Sequence, residues 1–230
     1  MRWEEIIING SMTGGRKCSF LFALLLLAAF VFLAYRLERN SLSSFDSRVY
    51  RVVSQSISPG VTLWAKGVSA FCSVPVMLPT VAAFLLIGWK KRAFRFYGLT
   101  MALNVASVWL VNLAIKAVFH RERPNFTRLA EETGFSFPSA HAMVSAAFYG
   151  YLIYLCTLFL KKPWKQICAA LLALLVAFIG VSRIYLGVHY ASDVLAGLLI
   201  GAAWVILFVL FMEKIRGNRA SVRAHVPRKR

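Results

Sequence analysis

Apolar residues run along this chain in long stretches separated by short polar islands, unlike the 3.6-residue alternation of a half-buried soluble helix. Stretches long enough to cross a hydrocarbon core about 30 Å thick lie at Cys18–Tyr35, Val68–Ile87, Phe94–Phe119, Ala142–Leu160, Ile167–Val181 and Ala191–Met212. The pattern predicts an all-α integral membrane fold, a bundle of six transmembrane helices. The fifth stretch is short and carries Gly180 near its end, so it is expected to run a few residues past Ser182 or to sit in a crowded part of the bundle. Arg16-Lys17 before the first stretch imitate a secretory leader. That stretch is about 18 residues long with no A-x-A-like cleavage site behind it, and it is read as a membrane helix.

The chain divides accordingly into a segment 1–17, a membrane domain 18–212 and a basic tail 213–230. In the first segment Ile6-Ile7-Ile8 form the only apolar patch, read as an interfacial helix or an unstructured stretch; the tail is expected to fray from Met212 onward. Between the first two stretches, Arg36–Lys66 carries Val49, Val52, Val53 and Ile57 at roughly helical spacing, which predicts an amphipathic helix on the outer surface, either simply interfacial or acting as a lid. Gly197 and Gly201 form a G-x-x-x-G pattern, the usual mark of close helix packing.

Composition strengthens the membrane reading, with 59% hydrophobic residues and a mean hydropathy of +0.66 against about 45–50% apolar residues in soluble domains. Lys and Arg number 27 against 9 Asp and Glu, a net charge of +18. In a soluble chain such an excess points to nucleic acid. Here most of it falls in alternate inter-span segments: Arg2, Arg16 and Lys17, then Lys90 to Arg95, then Lys161 to Lys165, then the tail from Lys214. By the positive-inside rule both termini face the cytoplasm; the basicity reflects topology and attraction to anionic lipid, and no nucleic-acid partner is expected. Cys18, Cys72, Cys156 and Cys168 show no metal-ligand spacing and read as small packing residues.

This topology places three polar islands on the outer face. Lys116 ends an apolar stretch, although an ammonium costs roughly 2.5–3.5 kcal/mol at mid-bilayer and less toward the interface. Arg123 follows seven residues later, two helical turns on, before Pro124 stops the helix. The pair reads as a two-storey cationic wall for phosphate oxygens or as two snorkelling interfacial cations. In the second island, Pro138-Ser139-Ala140-His141, Ser139 is a natural N-cap whose helix aims free N–H groups outward; the island reads as an anion site or as a capped helix with an interfacial histidine. The third runs from Ser182-Arg183 to His189 and Asp193. His189 and Asp193 sit at i and i+4, so the carboxylate would fix the imidazole tautomer and free its other nitrogen as a nucleophile. A simple capping pair would explain Asp193 alone.

Together these residues resemble the type 2 phosphatidic acid phosphatase family, whose pattern is K-x6-RP, PSGH and SR-x5-H-x3-D. Lys116, Arg123 and Pro124 match the first motif, Pro138, Ser139 and His141 the second, and Ser182, Arg183, His189 and Asp193 the third. Ala140 departs from the family glycine, keeping the backbone N–H but adding a methyl group and disfavouring positive φ. The resemblance implies that His189 attacks phosphorus to give a phosphohistidine, that His141 protonates the leaving oxygen and later activates water, and that Asp193 orients His189. Lys116, Arg123, Ser139, Arg183 and the N–H of Ala140 would hold the phosphoryl oxygens. No cofactor is implied, and no metal, since Glu122, Glu131 and Glu132 lack cage-like spacing. The implied substrate is a lipid phosphomonoester or diphosphate in the cell membrane, among them phosphatidylglycerol phosphate, phosphatidic acid and undecaprenyl diphosphate, cleaved on the extracytoplasmic side without an obligate protein partner. The alternative is a catalytically silent lipid-phosphate binder or transporter on the same scaffold, against which the intact His189, His141 and Asp193 speak.

Overall fold

The computed structural model describes residues 13–225, and every regular element among them is a helix. The patch Ile6–Ile8 and the last five residues of the tail lie outside the described residues. In chain order the helices are α1 (Thr13–Glu38), α2 (Ser43–Ser54), α3 (Pro59–Ala70), α4 (Val74–Lys90), α5 (Arg95–Phe119, after a single 3-10 turn at Arg92–Phe94), α6 (Ala140–Phe159), α7 (Trp164–Tyr185) and α8 (Ala191–His225). Six segments are long and apolar enough to span a bilayer, as the hydropathy pattern predicts. The fifth does extend beyond Ser182, to Tyr185. The expected fraying after Met212 is replaced by a helix that continues to His225.

The second span differs from expectation. It begins at Pro59, inside the stretch read as an outer loop, and breaks at Phe71–Ser73 into α3 and α4. The break has a local cause: Ser73 takes an extended conformation and Pro75 occupies the first turn of α4, where its missing N–H costs nothing. Tyr149 on α6 donates to the exposed carbonyl of Phe71 at 2.8 Å, supplying one of the partners the interrupted helix lacks.

At the centre, α6 packs against α8 and α7, and α8 also against α1. Gly197 and Gly201 lie at the α6–α8 crossing, where a Cβ on Gly197 would approach Ser139 O to 2.7 Å and one on Gly201 would overlap Met143 O. The small-residue pattern therefore presses α8 onto the very start of α6. The amphipathic helix predicted outside the bundle is α2. Val49 and Val53, with Phe45 and Tyr50, pack on Ala142, Ile184, Ala191 and Val194, whereas Val52 is exposed and Ile57 lies beyond the helix. This helix covers the end of the bundle that holds the three islands.

Candidate active site

The three islands meet. His189 stands between α7 and α8, 1% exposed, because Gly187 turns the chain at φ +69° against Thr127, where any side chain would overlap Thr127 O. Its Nδ1 lies 3.2 Å from Ser136 Oγ and 3.6 Å from Asp193 Oδ2, and its Nε2 lies 3.3 Å from Arg123 Nη1. Asp193, in the first turn of α8, is fully buried and accepts from Ser136 Oγ at 2.5 Å, Arg121 Nη1 at 2.5 Å and the backbone N–H of Tyr190 at 2.9 Å. The carboxylate caps the start of α8 through the Tyr190 N–H and reaches the imidazole through Ser136, with His189 Nδ1 itself 3.6 Å away. Burial pushes the His189 imidazole down to about 4, against the opposing pull of Asp193 and reinforced by Arg123 and Arg183. The ring is neutral at pH 7.

Arg123 reaches this position by a route the sequence reading did not anticipate. The helix expected to carry Lys116 and Arg123 on one face ends at Phe119, because His120 takes a left-handed conformation (φ 45°) and donates its N–H to Lys116 O. Arg123 therefore lies in the loop between α5 and α6, fixed by the carbonyls of Thr133, Gly134 and Val188 at 2.8–2.9 Å. Lys116 stays on α5 and donates to Phe135 O at 2.5 Å, next to the Ser136 that touches His189. The two cations share a site, but on different elements rather than as two storeys of one helix.

Ser139 is the N-cap residue of α6 as predicted, yet its hydroxyl makes no capping bond and is buried without a partner; its N–H donates to Asp193 O at 3.0 Å. Ala140 opens the helix without positive φ, so the methyl that replaces the family glycine brings no backbone strain. His141 follows in the first turn, half-buried, its backbone carbonyl beside Cys72 Sγ at the α3–α4 break. Arg183, 3% exposed near the end of α7, donates Nη1 to Ser69 Oγ at 2.6 Å and leaves Nε unpaired. A buried guanidinium N–H and a buried hydroxyl are donors of the kind that can hold phosphate oxygens.

Three residues of this site, Ser136, Arg121 and Asp46, escape the sequence reading. Ser136 bridges His189 and Asp193. Arg121, two residues before Arg123, ties Asp193 to Asp46. Glu132, dismissed as a metal ligand, pairs with Arg183 Nη2 and lies 3.8 Å from Arg123 Nη2 and 4.0 Å from His141 Nδ1. One carboxylate thus reaches two of the expected phosphate contacts and the histidine expected to give the proton. Among the described residues no group of three or more His, Cys, Asp or Glu is arranged to hold a metal ion. Ser182 turns away, its hydroxyl bonded to Ile179 O within its own helix.

Beside His141 an apolar cavity of about 490 Å³ lies between α4 and α5, lined by Cys72, Met77, Val81, Val105 and Trp109, with Ala140 and His141 at its head.

The PAP2 superfamily matches residues 93–216. Phosphatidylglycerophosphatase B of Bacillus subtilis is 33% identical over 197 residues, covering 83% of this chain and 94% of that protein. An undecaprenyl-diphosphatase of Sulfolobus acidocaldarius is 34% identical over 132 residues, 54% of this chain and 58% of its own. The crystal structure of a transmembrane PAP2 type phosphatidylglycerolphosphate phosphatase from Bacillus subtilis superposes with a TM-score of 0.77 at 28% identity, covering 84% of this chain and 96% of that one.

Proposed function

We propose that this chain, which belongs to the PAP2 superfamily, is a membrane phosphatase that hydrolyses a lipid phosphomonoester or diphosphate through a phosphohistidine at His189, without a metal. The environment of His189 carries the reading. Ser136 gives its own proton to Asp193 Oδ2 and its oxygen accepts the Nδ1–H of His189, so the lone pair sits on Nε2, beside Arg123. Attack by Nε2 forms the N–P bond as the P–O bond to the lipid breaks. The departing oxygen takes a proton from His141. Asp193 stabilises the resulting imidazolium. In the second half-reaction His141, now neutral, takes a proton from water, the water oxygen attacks phosphorus, and the N–P bond breaks to restore neutral His189.

Arg123, Arg183, Lys116, the Ser139 hydroxyl and the backbone N–H of Ala140 neutralise the equatorial oxygens. They supply the charge a metal would otherwise bring, and such preorganised donors are the main catalytic lever in phosphoryl transfer. The apolar cavity headed by His141 supports a lipid substrate, since a tail could lie between α4 and α5 while its phosphate meets the cations. The basic segments support an extracytoplasmic site in the cell membrane. Phosphatidylglycerol phosphate and undecaprenyl diphosphate, the substrates named for the similar proteins, are the lipids proposed first.

Phosphate release from mixed micelles of each lipid, in EDTA, tests this with the native chain beside His189→Ala. Release by the native chain and loss in the variant are expected. Absence of release from the native chain refutes the enzyme reading, and abolition by EDTA refutes the metal-free part.

A further inference from the structure

Only two carboxylates are buried among the described side chains, Asp193 and Asp46. Asp46 belongs to α2, outside residues 93–216 that match the superfamily, and it is 1% exposed. Burying a carboxylate without compensation is prohibitive, so its partners reveal its use. Oδ1 accepts from Ser192 N–H at 2.8 Å; Oδ2 accepts from Ser192 Oγ at 2.8 Å and from Arg121 Nη2 at 2.8 Å. Ser192 Oγ in turn accepts from Arg121 Nη1 at 2.8 Å, and the same nitrogen donates to Asp193 Oδ1 at 2.5 Å. The Tyr190 ring covers the guanidinium at 3.9 Å. Every partner of Asp46 therefore contacts Asp193 or adjoins it in sequence.

We propose that Asp46 is a positioning residue for His189, acting through Arg121 and Ser192 on Asp193; the proposal rests on the phosphatase reading above. Arg121 alone beside Asp193 would form a neutral pair and draw the carboxylate's charge away from the imidazole. Asp46 takes up that guanidinium charge, so the array Asp46–Arg121–Asp193 keeps one net negative charge. Asp193 Oδ2 turns this charge toward Ser136 and His189. The groups facing the imidazole are then Ser136 and Asp193 on Nδ1 and Arg123 on Nε2, with Arg183 near enough to add its field. Helix α2, whose apolar face holds it on α6, α7 and α8, becomes part of the catalytic support rather than a cover.

The test is a double-mutant cycle on the full chain in detergent, with Asp46→Asn, Arg121→Gln and the pair. Asp46→Asn should lower kcat about 10- to 100-fold with KM within about threefold, by analogy with the loss of outer partners of metal-bound histidines. In the Arg121→Gln background it should add less than about threefold, because the charged link is already gone and only the Ser192 contacts remain. Independent, fully additive losses, or an unchanged kcat in Asp46→Asn, overturn the proposal. A second readout needs no turnover: ¹⁵N-histidine spectra, with the His189 signal assigned by its absence in His189→Gln, should show the imidazole titrating at lower pH in Asp46→Asn. An unmoved titration in a folded variant also overturns the proposal. A native chain inactive on every lipid tested sinks the phosphatase reading instead, and the spectra still decide whether Asp46 reaches His189. Should Asp46→Asn fail to fold, Ser192→Ala, which keeps the Asp46–Arg121 pair, is expected to move the same titration by a smaller amount, and no movement there counts against the proposal.

Discussion

Removing the Ser136 hydroxyl tests how His189, the proposed nucleophile, is held. In Ser136→Ala, Asp193 Oδ2 keeps the Tyr190 N–H at 2.9 Å and Oδ1 keeps Arg121 at 2.5 Å, so the carboxylate stays anchored. His189 Nδ1 loses its 3.2 Å neighbour and faces Asp193 across 3.6 Å, beyond ordinary hydrogen-bond length. A hydrogen bond to a charged group contributes about 1.5–3 kcal/mol, and each 1.36 kcal/mol is about tenfold in rate, so complete loss would lower kcat about 10- to 160-fold. A small ring rotation would close much of the gap and recover part of that, which sets the expectation at about tenfold in kcat with KM nearly constant. The assay is steady-state phosphate release beside Asp193→Asn, which removes the charge itself and should fall about 10³- to 10⁴-fold, as when the carboxylate of a catalytic histidine is neutralised. A Ser136→Ala enzyme as fast as the native one would show that Asp193 reaches the ring directly. One as slow as Asp193→Asn would show that the hydroxyl is the sole link.

Three further outcomes are expected. Arg183→Lys keeps the charge but loses the fork that serves Ser69 and leaves Nε free, so kcat/KM should drop about 10²-fold or more, two charge-assisted bonds being involved; kinetics within tenfold of native would remove Arg183 from the phosphate site. Because burial holds His189 down to about 4, its imidazole stays neutral well below pH 6.5, and if it is the proposed nucleophile the acid limb of kcat/KM should fall below that value. The sign for stability agrees: the unfolded chain takes up this proton near its ordinary value of about 6.5, the folded one only near 4, so the His189 contribution is present above 6.5 and is lost as pH falls from 6.5 toward 4. Gly197→Val should lower the melting temperature in detergent and activity together, since its side chain would press on Ser139 O and Ala142, whereas Gly67→Ala, with open space around it, should change neither.

The motif residues were legible because each combines a polar identity with a position where an apolar one would be cheaper. Arg183 and His189 lie beside apolar stretches, and the four-residue step from His189 puts Asp193 within reach of the imidazole once Gly187 has turned the chain. The path of the chain between them was less legible. Nothing in Phe119-His120-Arg121 announces a left-handed residue, so the pattern predicts a helix through Arg123, and the break at Phe71–Ser73 is hidden inside a continuous hydrophobic run. Ser136, Arg121 and Asp46 carry no local signal at all. A serine in a loop and an aspartate on a polar-faced helix are ordinary surface residues until a contact 57 or 146 positions away buries them. The sequence offers Glu132 only as a candidate metal ligand, and its pairing with arginines is equally a product of the tertiary fold.

The fit of Gly197 and Gly201 against the opening turns of α6 has a mechanical consequence. These contacts leave no slack for α6 to slide along α8, and the Ser139 N–H is tied to the Asp193 carbonyl at the same level. A membrane that thickens or thins around the protein must then be met by tilting the pair as one rod. His141 on one helix and Asp193 on the other should hold their separation across hosts of very different lipid composition.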